Sequence, residues 1–498
     1  MRKNKFLIFL LCLSAVVFSC FSAVFASTDS EILEKEPIDV VIKYIDLTDP
    51  KLCRKGLPHI KKDEDNDELK YSVRSILKNI PWIRKIYIVM PNEKVRYFKD
   101  SKSISDKIEY IRDKDVLGFD SESSITFEFN FWKLKKFGVS DNFIYMNDDY
   151  FIGKPLKKSD FFYVQDGKVV PYILYDKRIE KNQYDSYKNK YEKVFKNYTK
   201  KSSHSHEVFV YRKLSSIMFL YEILGKDIFV PFKNFSHFPH NALGENLDDL
   251  KEVYDVVKEK NKYAYFSLEA LKRDVRALQH QTFYNFYVLN KYNRKVNRLN
   301  GVYIDIASAP FASYNVPLFC INTGGNGSYS RANYAYAKVV MNRLFPHPTC
   351  YEKPELNNGT YVIESALEKG KVMDIESASN RNGANLRLWE KNGTNAQKFR
   401  VRLQSDGTYI LVPLCSNKRV DVREASKQMG TNIWQYSRNG SLAQRWYLIP
   451  AERGYFYIVS ACNNLCADVE SANSRSGTNI RCWEPNGTNA QKFKFVKA

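Results

Sequence analysis

Asn147-Asp148-Asp149 follows the apolar run Phe143-Ile144-Tyr145-Met146, and the chain then returns at once to Tyr150-Phe151-Ile152. Two adjacent carboxylates beside an amide can hold a hard divalent cation, because Mg²⁺ takes one or two carboxylates and completes its shell with water and phosphate oxygens. The same residue types also build ordinary turns, so spacing alone leaves both readings open. A second acidic group, Asp46 and Asp49 around Thr48, ends the run that starts at Ile38. His237 and His240 flank Pro239, three residues apart. With no cysteine or third histidine nearby they are not a zinc set, whereas a near-neutral imidazole suits acid/base work or a phosphate contact. Lys70 and Arg74 stand one helical turn apart, a spacing that can grip phosphate or simply face solvent.

The elements that would position these groups are legible from periodicity. Phe143–Met146 predicts a short buried strand with its acids at the carboxyl end, where open α/β sheets place ligands. Ile38–Pro50 predicts another. Asp65–Asn92 predicts an amphipathic helix with Leu69, Val73, Ile76 and Leu77 inward, a break at Pro81, and a strand over Lys85–Met90. Such alternation continues from residue 37 to residue 352, which predicts an α/β domain with a mixed sheet and flanking helices.

At 498 residues, 44% hydrophobic and 27% charged, the chain is long enough for two or more folded domains. Its net charge of +21 is scattered and no nucleic-acid motif is present, so no nucleic-acid partner is expected; a basic surface also suits phosphorylated substrates. Arg2, Lys3 and Lys5 precede an apolar stretch from Phe6 to Ala26, which ends in the small-residue pattern Val24-Phe25-Ala26. Residues 1–26 therefore read as a signal peptide or a signal anchor, giving an exported protein, secreted or in the secretory-pathway lumen with possible membrane anchoring. In that compartment disulfides can form. Cys466 with Cys482, and Cys320 with Cys350, are the expected pairs.

The C-terminal part repeats itself. Asp374, Asp421 and Asp468 recur at one interval of 47 residues, as do Gln397, Gln444 and Gln491, and Gly-Asn turns separate short strands in each copy. Three copies predict a closed, threefold all-β domain over residues 359–498, after a linker at 353–358. The triplets Gln397-Lys398-Phe399, Gln444-Arg445-Trp446 and Gln491-Lys492-Phe493 resemble the Gln-x-Trp triplet of ricin-type β-trefoil lectins. That resemblance implies sugar sites built from Asp374 with Trp389, Asp421 with Tyr436, and Asp468 with Trp483. Ala396, Ala443 and Ala490 stand where many members carry a polar residue, so one or two working sites are expected.

Residues 37–352, after a short linker at 27–36, resemble the Stealth family of sugar-phosphate transferases. The strings that carry the resemblance are Ile38–Pro50, Glu68–Asn92, Ser123–Leu134, Phe143–Leu156, Phe235–Leu243 with Leu271–Gln279, and Pro317–Gly325 with Leu344–Glu352. The resemblance implies transfer of a sugar 1-phosphate, GlcNAc-1-phosphate from UDP-GlcNAc being the first expectation, to a hydroxyl of a glycan or glycoprotein acceptor, with nucleoside monophosphate leaving. It implies Mg²⁺ or Mn²⁺ at Asp148 and Asp149. Catalytic roles are implied for Asp149, His240, Glu128, Ser124 and Arg273 (Arg276 as fallback), and substrate contacts for Asp46, Arg74, Asn147 and Asn322. Thr323 replaces a family acid and Ser123 a family Asn. A glycosyltransferase releasing nucleoside diphosphate, or a non-catalytic secreted lectin, are the alternatives.

Overall fold

The computed structural model describes residues 28–53, 65–93, 95–99, 106–175, 177–196, 206–232, 242–299, 301–306, 316–322 and 329–498. The expected leader, His237, His240 and Thr323 lie outside the described residues. Within them no helix is long and apolar enough to cross a membrane.

The chain opens with α1 (Thr28–Lys35), β1 (Ile38–Lys43), α2 (Glu68–Asn79), β2 (Ile86–Met90), β3 (Ile108–Arg112), α3 (Ser124–Phe129), β4 (Asn142–Asn147) and β5 (Tyr150–Ile152). α4 (Tyr184–Lys196), α5 (His206–Leu224), β6 (Leu243–Asn246), α6 (Leu247–Lys260), α7 (His280–Tyr292), β7 (Gly301–Asp305), β8 (Leu318–Asn322) and α8 (Arg331–Leu344) follow. The stretch expected as a linker at 27–36 thus contains α1. Lys158 Nζ donates to the carbonyls of Glu34 (2.6 Å) and Glu36 (2.7 Å), tying down a helix C-terminus that would otherwise fray.

The main sheet has the order β6-β4-β1-β2-β3, with β1 to β4 parallel and β6 antiparallel at the edge. Alternate residues feed opposite faces: Val41, Val89 and Tyr145 join the core on one side, and Val40, Ile42, Ile88 and Ile144 the core on the other. Burial on both faces is why β1 reads as a continuous apolar run. The chain builds outward from β1 to β3 and then returns to the far side of β1 as β4. The carboxyl ends of β1 and β4 therefore flank the point where strand order reverses.

That geometry explains the sudden return to Tyr150-Phe151-Ile152. The chain leaves the main sheet at Asn147, turns through Asp148 and Asp149, and enters a second sheet in which β5 lies antiparallel to β8. α2 holds β5 in place through Ser72 Oγ to the Tyr150 carbonyl (2.8 Å) and Asn79 Nδ2 to the Ile152 carbonyl (2.5 Å).

The C-terminal domain is a closed β-trefoil. β9 (Gly359–Ser365), β12 (Lys398–Leu403), β13 (Tyr409–Pro413), β16 (Trp446–Pro450), β17 (Phe456–Ser460) and β20 (Lys492–Lys497) pair in a ring that closes from β20 back to β9. Three hairpins cap it: β10 (Lys371–Ile375) with β11 (Leu386–Glu390), β14 (Arg419–Val422) with β15 (Ile433–Tyr436), and β18 (Cys466–Val469) with β19 (Ile480–Trp483). Each hairpin loop locks onto the next repeat. Gly383, Gly430 and Gly477 donate their N–H groups to the carbonyls of Gln435, Cys482 and Leu388, at φ values of 82°, 78° and 96° that favour glycine.

The expected disulfides do not form: Cys320, Cys350, Cys466 and Cys482 are all free thiols. In the β18–β19 ladder Cys466 opposes Trp483 while Cys482 opposes Ala467, so a one-residue offset puts the two sulfurs on opposite faces. Cys320 is buried in β8 and Cys350 is exposed.

The two domains share a core. Ala335 and Val339 of α8 pack against Ile449, Tyr457 and Val459 of the trefoil, and Lys338 Nζ donates to the Pro450 carbonyl at 3.2 Å.

Candidate functional site

A cavity of about 370 Å³ opens at the strand-order reversal. It is lined by Lys43 and Tyr44 at the end of β1, Asn147 and Asp148 at the end of β4, Ser124 and Glu128 of α3, and Arg273 from the loop before α7. Ser123 caps α3 by accepting the Thr126 N–H, which aims Ser124 and Glu128, one turn apart, along one helix face. Arg273 Nη2 donates to Ser124 Oγ at 2.5 Å. Arg276 turns away, paired with both carboxylate oxygens of Asp274 and 3.5 Å over the Phe266 ring.

Glu128 is a carboxyl with altered chemistry. Burial raises its pKa to about 7 against the opposing pull of Arg273 and Tyr145. Its Oε1 lies 3.2 Å from the Tyr145 hydroxyl, which lies 2.8 Å from Asn147 Oδ1; Asn147 Nδ2 in turn donates to the Tyr150 hydroxyl at 3.0 Å. A neutral carboxyl fits this chain best, since Glu128 can then donate to Tyr145 and leave the phenol proton for Asn147. Among the described residues, Glu128 Oε2 is buried without a hydrogen-bond partner, 3.9 Å from His280 Nδ1. Burial lowers the His280 pKa to about 3, so this imidazole is neutral.

The Asp148–Asp149 turn gathers negative charge. Burial first, then Asp149, Glu68 and Asp65, push the Asp148 carboxyl well above its usual range. Burial and Asp65 likewise raise Glu68 to about 8. Asp149 does not line the cavity; its Oδ2 accepts from Asn322 Nδ2 at 2.6 Å and from the Cys320 thiol at 3.1 Å. Asn322, expected to touch substrate, holds Asp149 in place through this bond.

Two further expectations are corrected. Asp46 does not face the cavity: its Oδ1 accepts from the N–H (2.9 Å) and hydroxyl (2.6 Å) of Thr48, closing the turn after β1. Arg74 is not a phosphate grip. Its guanidinium is buried and forks onto Glu352 at 2.8 and 2.6 Å, with a third bond to the Phe345 carbonyl, while Lys70 pairs with Asp67 and Glu355. Arg74→Ala, which leaves the Glu352 carboxylate buried and unpaired, is expected to lower unfolding free energy by about 3–5 kcal/mol in urea titrations. Activity at low temperature should keep its KM.

Arg212 and Lys213 on α5 also line the cavity, and nothing in the motif pattern marked them. Burial lowers the Lys213 pKa to about 7, and its Nζ sits 4.3 Å from the centre of the Phe209 ring. The signal available was an Arg-Lys pair inside an otherwise apolar helix. His280 was hidden in the same way, at the start of α7 just ahead of its aromatic run.

Residues 62–170 match the sequence profile of Stealth protein conserved region 2. Overlapping stretches at residues 351–436, 416–483 and 442–498 match the ricin-type β-trefoil lectin domain, which the C-terminal fold reproduces. Over 142 residues the chain is 34% identical to the capsular polysaccharide phosphotransferase fcs1 of Haemophilus influenzae, covering 25% of this chain and 38% of that protein. It is 33% identical over 149 residues to cps1A, a capsular polysaccharide phosphotransferase of Actinobacillus pleuropneumoniae, covering 26% of this chain and 39% of that protein. It thus spans under two fifths of the length of these relatives. Among solved structures, the designed threefold protein ThreeFoil matches 28% of this chain over 100% of its own length, at 33% identity and a TM-score of 0.28.

The matched stretch contributes Ser124, Glu128, Asn147 and Asp148 to the cavity, with Asp149 just behind them in the turn; Arg273 arrives from outside it. In the ricin-type domain the triplet glutamines are fully buried. Gln397 accepts from the N–H groups of Asn392 and Gly393 and donates to Asp374, so it fixes a turn. The implied sugar sites are not equivalent. Arg387 binds Asp374 at 3.0 Å and stacks 3.9 Å over Trp389, and Arg481 stacks 4.2 Å over Trp483. In the middle repeat the Trp434 indole donates to Asp421 at 2.8 Å and stacks on Tyr436, whose ring is exposed. Tyr436→Ala is therefore expected to weaken any glycan bound by that repeat about tenfold, read by calorimetry.

Proposed function

We propose that this protein moves a sugar 1-phosphate from a nucleotide diphosphate sugar to a hydroxyl of a glycan or glycoprotein acceptor, releasing nucleoside monophosphate, with UDP-GlcNAc as the donor to test first. The observation that carries this reading is the meeting of Glu128, Ser124, Arg273 and Asp148 in one cavity at the strand-order reversal. The relatives' activity, capsular polysaccharide phosphotransfer, supports it.

Phosphoryl transfer needs positioning and charge neutralisation above all. Arg273 and Arg212 supply cationic groups against the diphosphate, and Lys213 joins them when protonated. Glu128, with a pKa near neutrality, is ionised in part at neutral pH, and in that form it is suited to take the proton of the attacking hydroxyl. The crowded carboxyls of Asp148 and Asp149 fit a hard cation. Among the described residues no three His, Cys, Asp or Glu side chains form a closed metal-binding set, which leaves the water-completed coordination by one or two carboxylates that Mg²⁺ accepts. When bound there, Mg²⁺ or Mn²⁺ would offset charge on the diphosphate. Residues 1–26 would export the chain or anchor it, and the trefoil would hold glycan near the cavity.

The test incubates the chain from Ser27 onward with UDP-GlcNAc, Mg²⁺ and a mannoside acceptor and identifies the nucleotide released. UMP in step with acceptor supports the proposal. UDP would mean ordinary glycosyl transfer, and neither nucleotide, across several donors and Mn²⁺, would leave a lectin.

A further inference from the structure

A second concavity of about 480 Å³ lies on the helical side of the transferase domain, between α4, α5 and the segment after α6. Five tyrosines line it, among them Tyr184, Tyr221 and Tyr263. Lys226, Lys260 and Lys262 also line it, and none of the three forms an ion pair with a carboxylate among the described residues; Glu222 is the one acid in the lining. Lys226 Nζ sits 4.2 Å from the centre of the Tyr184 ring and Lys262 Nζ 4.9 Å from that of Tyr263. Tyr221 is 3% exposed, and its hydroxyl is buried without a hydrogen-bond partner among the described residues.

We infer that this cleft binds an anionic glycan in which sugar rings alternate with phosphodiesters. Tyrosine faces bury the apolar side of a pyranose, and ammonium groups beside them pair with phosphodiester oxygens one sugar further on. A neutral glycan would use the rings and leave the lysines idle. The unpartnered Tyr221 hydroxyl is a costly feature in a protein interior, and a sugar hydroxyl or phosphate oxygen in the cleft would satisfy it.

The cleft is distinct from the reaction cavity yet shares a wall with it. α5 presents Arg212 and Lys213 to the cavity and Tyr211, Met218 and Tyr221 to the cleft. An acceptor reaching the cavity could thus lay its earlier units along the cleft. The choice of ligand rests on the proposed function, since repeated sugar-phosphate transfer makes such a polymer.

The test is calorimetry on the full chain with three probes: a tetramer of GlcNAc units joined by phosphodiesters, neutral chitotetraose, and linear polyphosphate. Lys226→Glu combined with Lys262→Glu, and separately Tyr263→Ala, should weaken the phosphodiester tetramer about tenfold or more. Chitotetraose binding should stay unchanged in the lysine variant, which leaves the rings in place, and weaken in Tyr263→Ala, while an unchanged melting profile in both controls for folding. Equal affinity of wild type and both variants for the tetramer overturns the inference, as does polyphosphate binding as tightly as the tetramer. Loss of tetramer binding in the variants upholds the cleft even if no donor is ever turned over, so its failure is separable from failure of the proposed reaction.

Discussion

Glu128→Gln is expected to remove about 10²–10⁴ of kcat and, at the same time, to make the protein more stable at pH 8. The carboxyl titrates near 7 in the fold against an ordinary value of 4.5. Between those two values the folded chain keeps a proton that the unfolded chain has released, so stability falls as pH rises from about 4.5 to 7 and stays reduced above it. The difference is worth about 3 kcal/mol at pH 8. A glutamine has no charge to desolvate and can still donate to Tyr145. Urea unfolding at pH 4 and pH 8 checks this: wild type and variant should be close at pH 4, and the variant should lead at pH 8. Full activity in the variant would remove Glu128 from the reaction, and a loss of stability at pH 8 would refute the buried, raised carboxyl.

Asp149→Asn is expected to lower kcat about 10³-fold while glycan binding by the trefoil stays at the wild-type level. An asparagine keeps an acceptor oxygen for the Asn322 amide at the same place, so the turn between β4 and β5 should survive. What disappears is one charge from the crowd of Asp148, Glu68 and Asp65. Mn²⁺ binding, followed by its paramagnetic resonance signal without substrate, should weaken in parallel. Equal loss of turnover and glycan binding would instead mean that the chain had misfolded, and retained turnover would remove Asp149 from the site.

Much of this was readable in one dimension because the controlling physics is local. β4 is an apolar run of strand length, the inward face of α2 follows from a 3.6-residue period, and the trefoil announces itself through Asp374, Asp421 and Asp468 at equal intervals. The i, i+4 spacing of Ser124 and Glu128 likewise puts both on one side of α3 without help from the rest of the chain.

Roles set by distant partners were not readable. Arg74 looked like a phosphate ligand because its partner, Glu352, lies 278 residues away in sequence, and Lys70 meets Glu355 at a separation of 285. Cys466 and Cys482 looked pairable until the ladder register put them on opposite faces of a hairpin. Lys213 and His280 gain their altered acidity only from burial by helices that the chain supplies later or earlier. Sequence by itself determined the elements, the repeat and the residue types at the strand ends, since each depends on neighbours within a few turns. Only the tertiary structure decided which charges face the cavity and which are consumed as internal pairs, because desolvation and Coulomb energies depend on distances through space that no local pattern encodes.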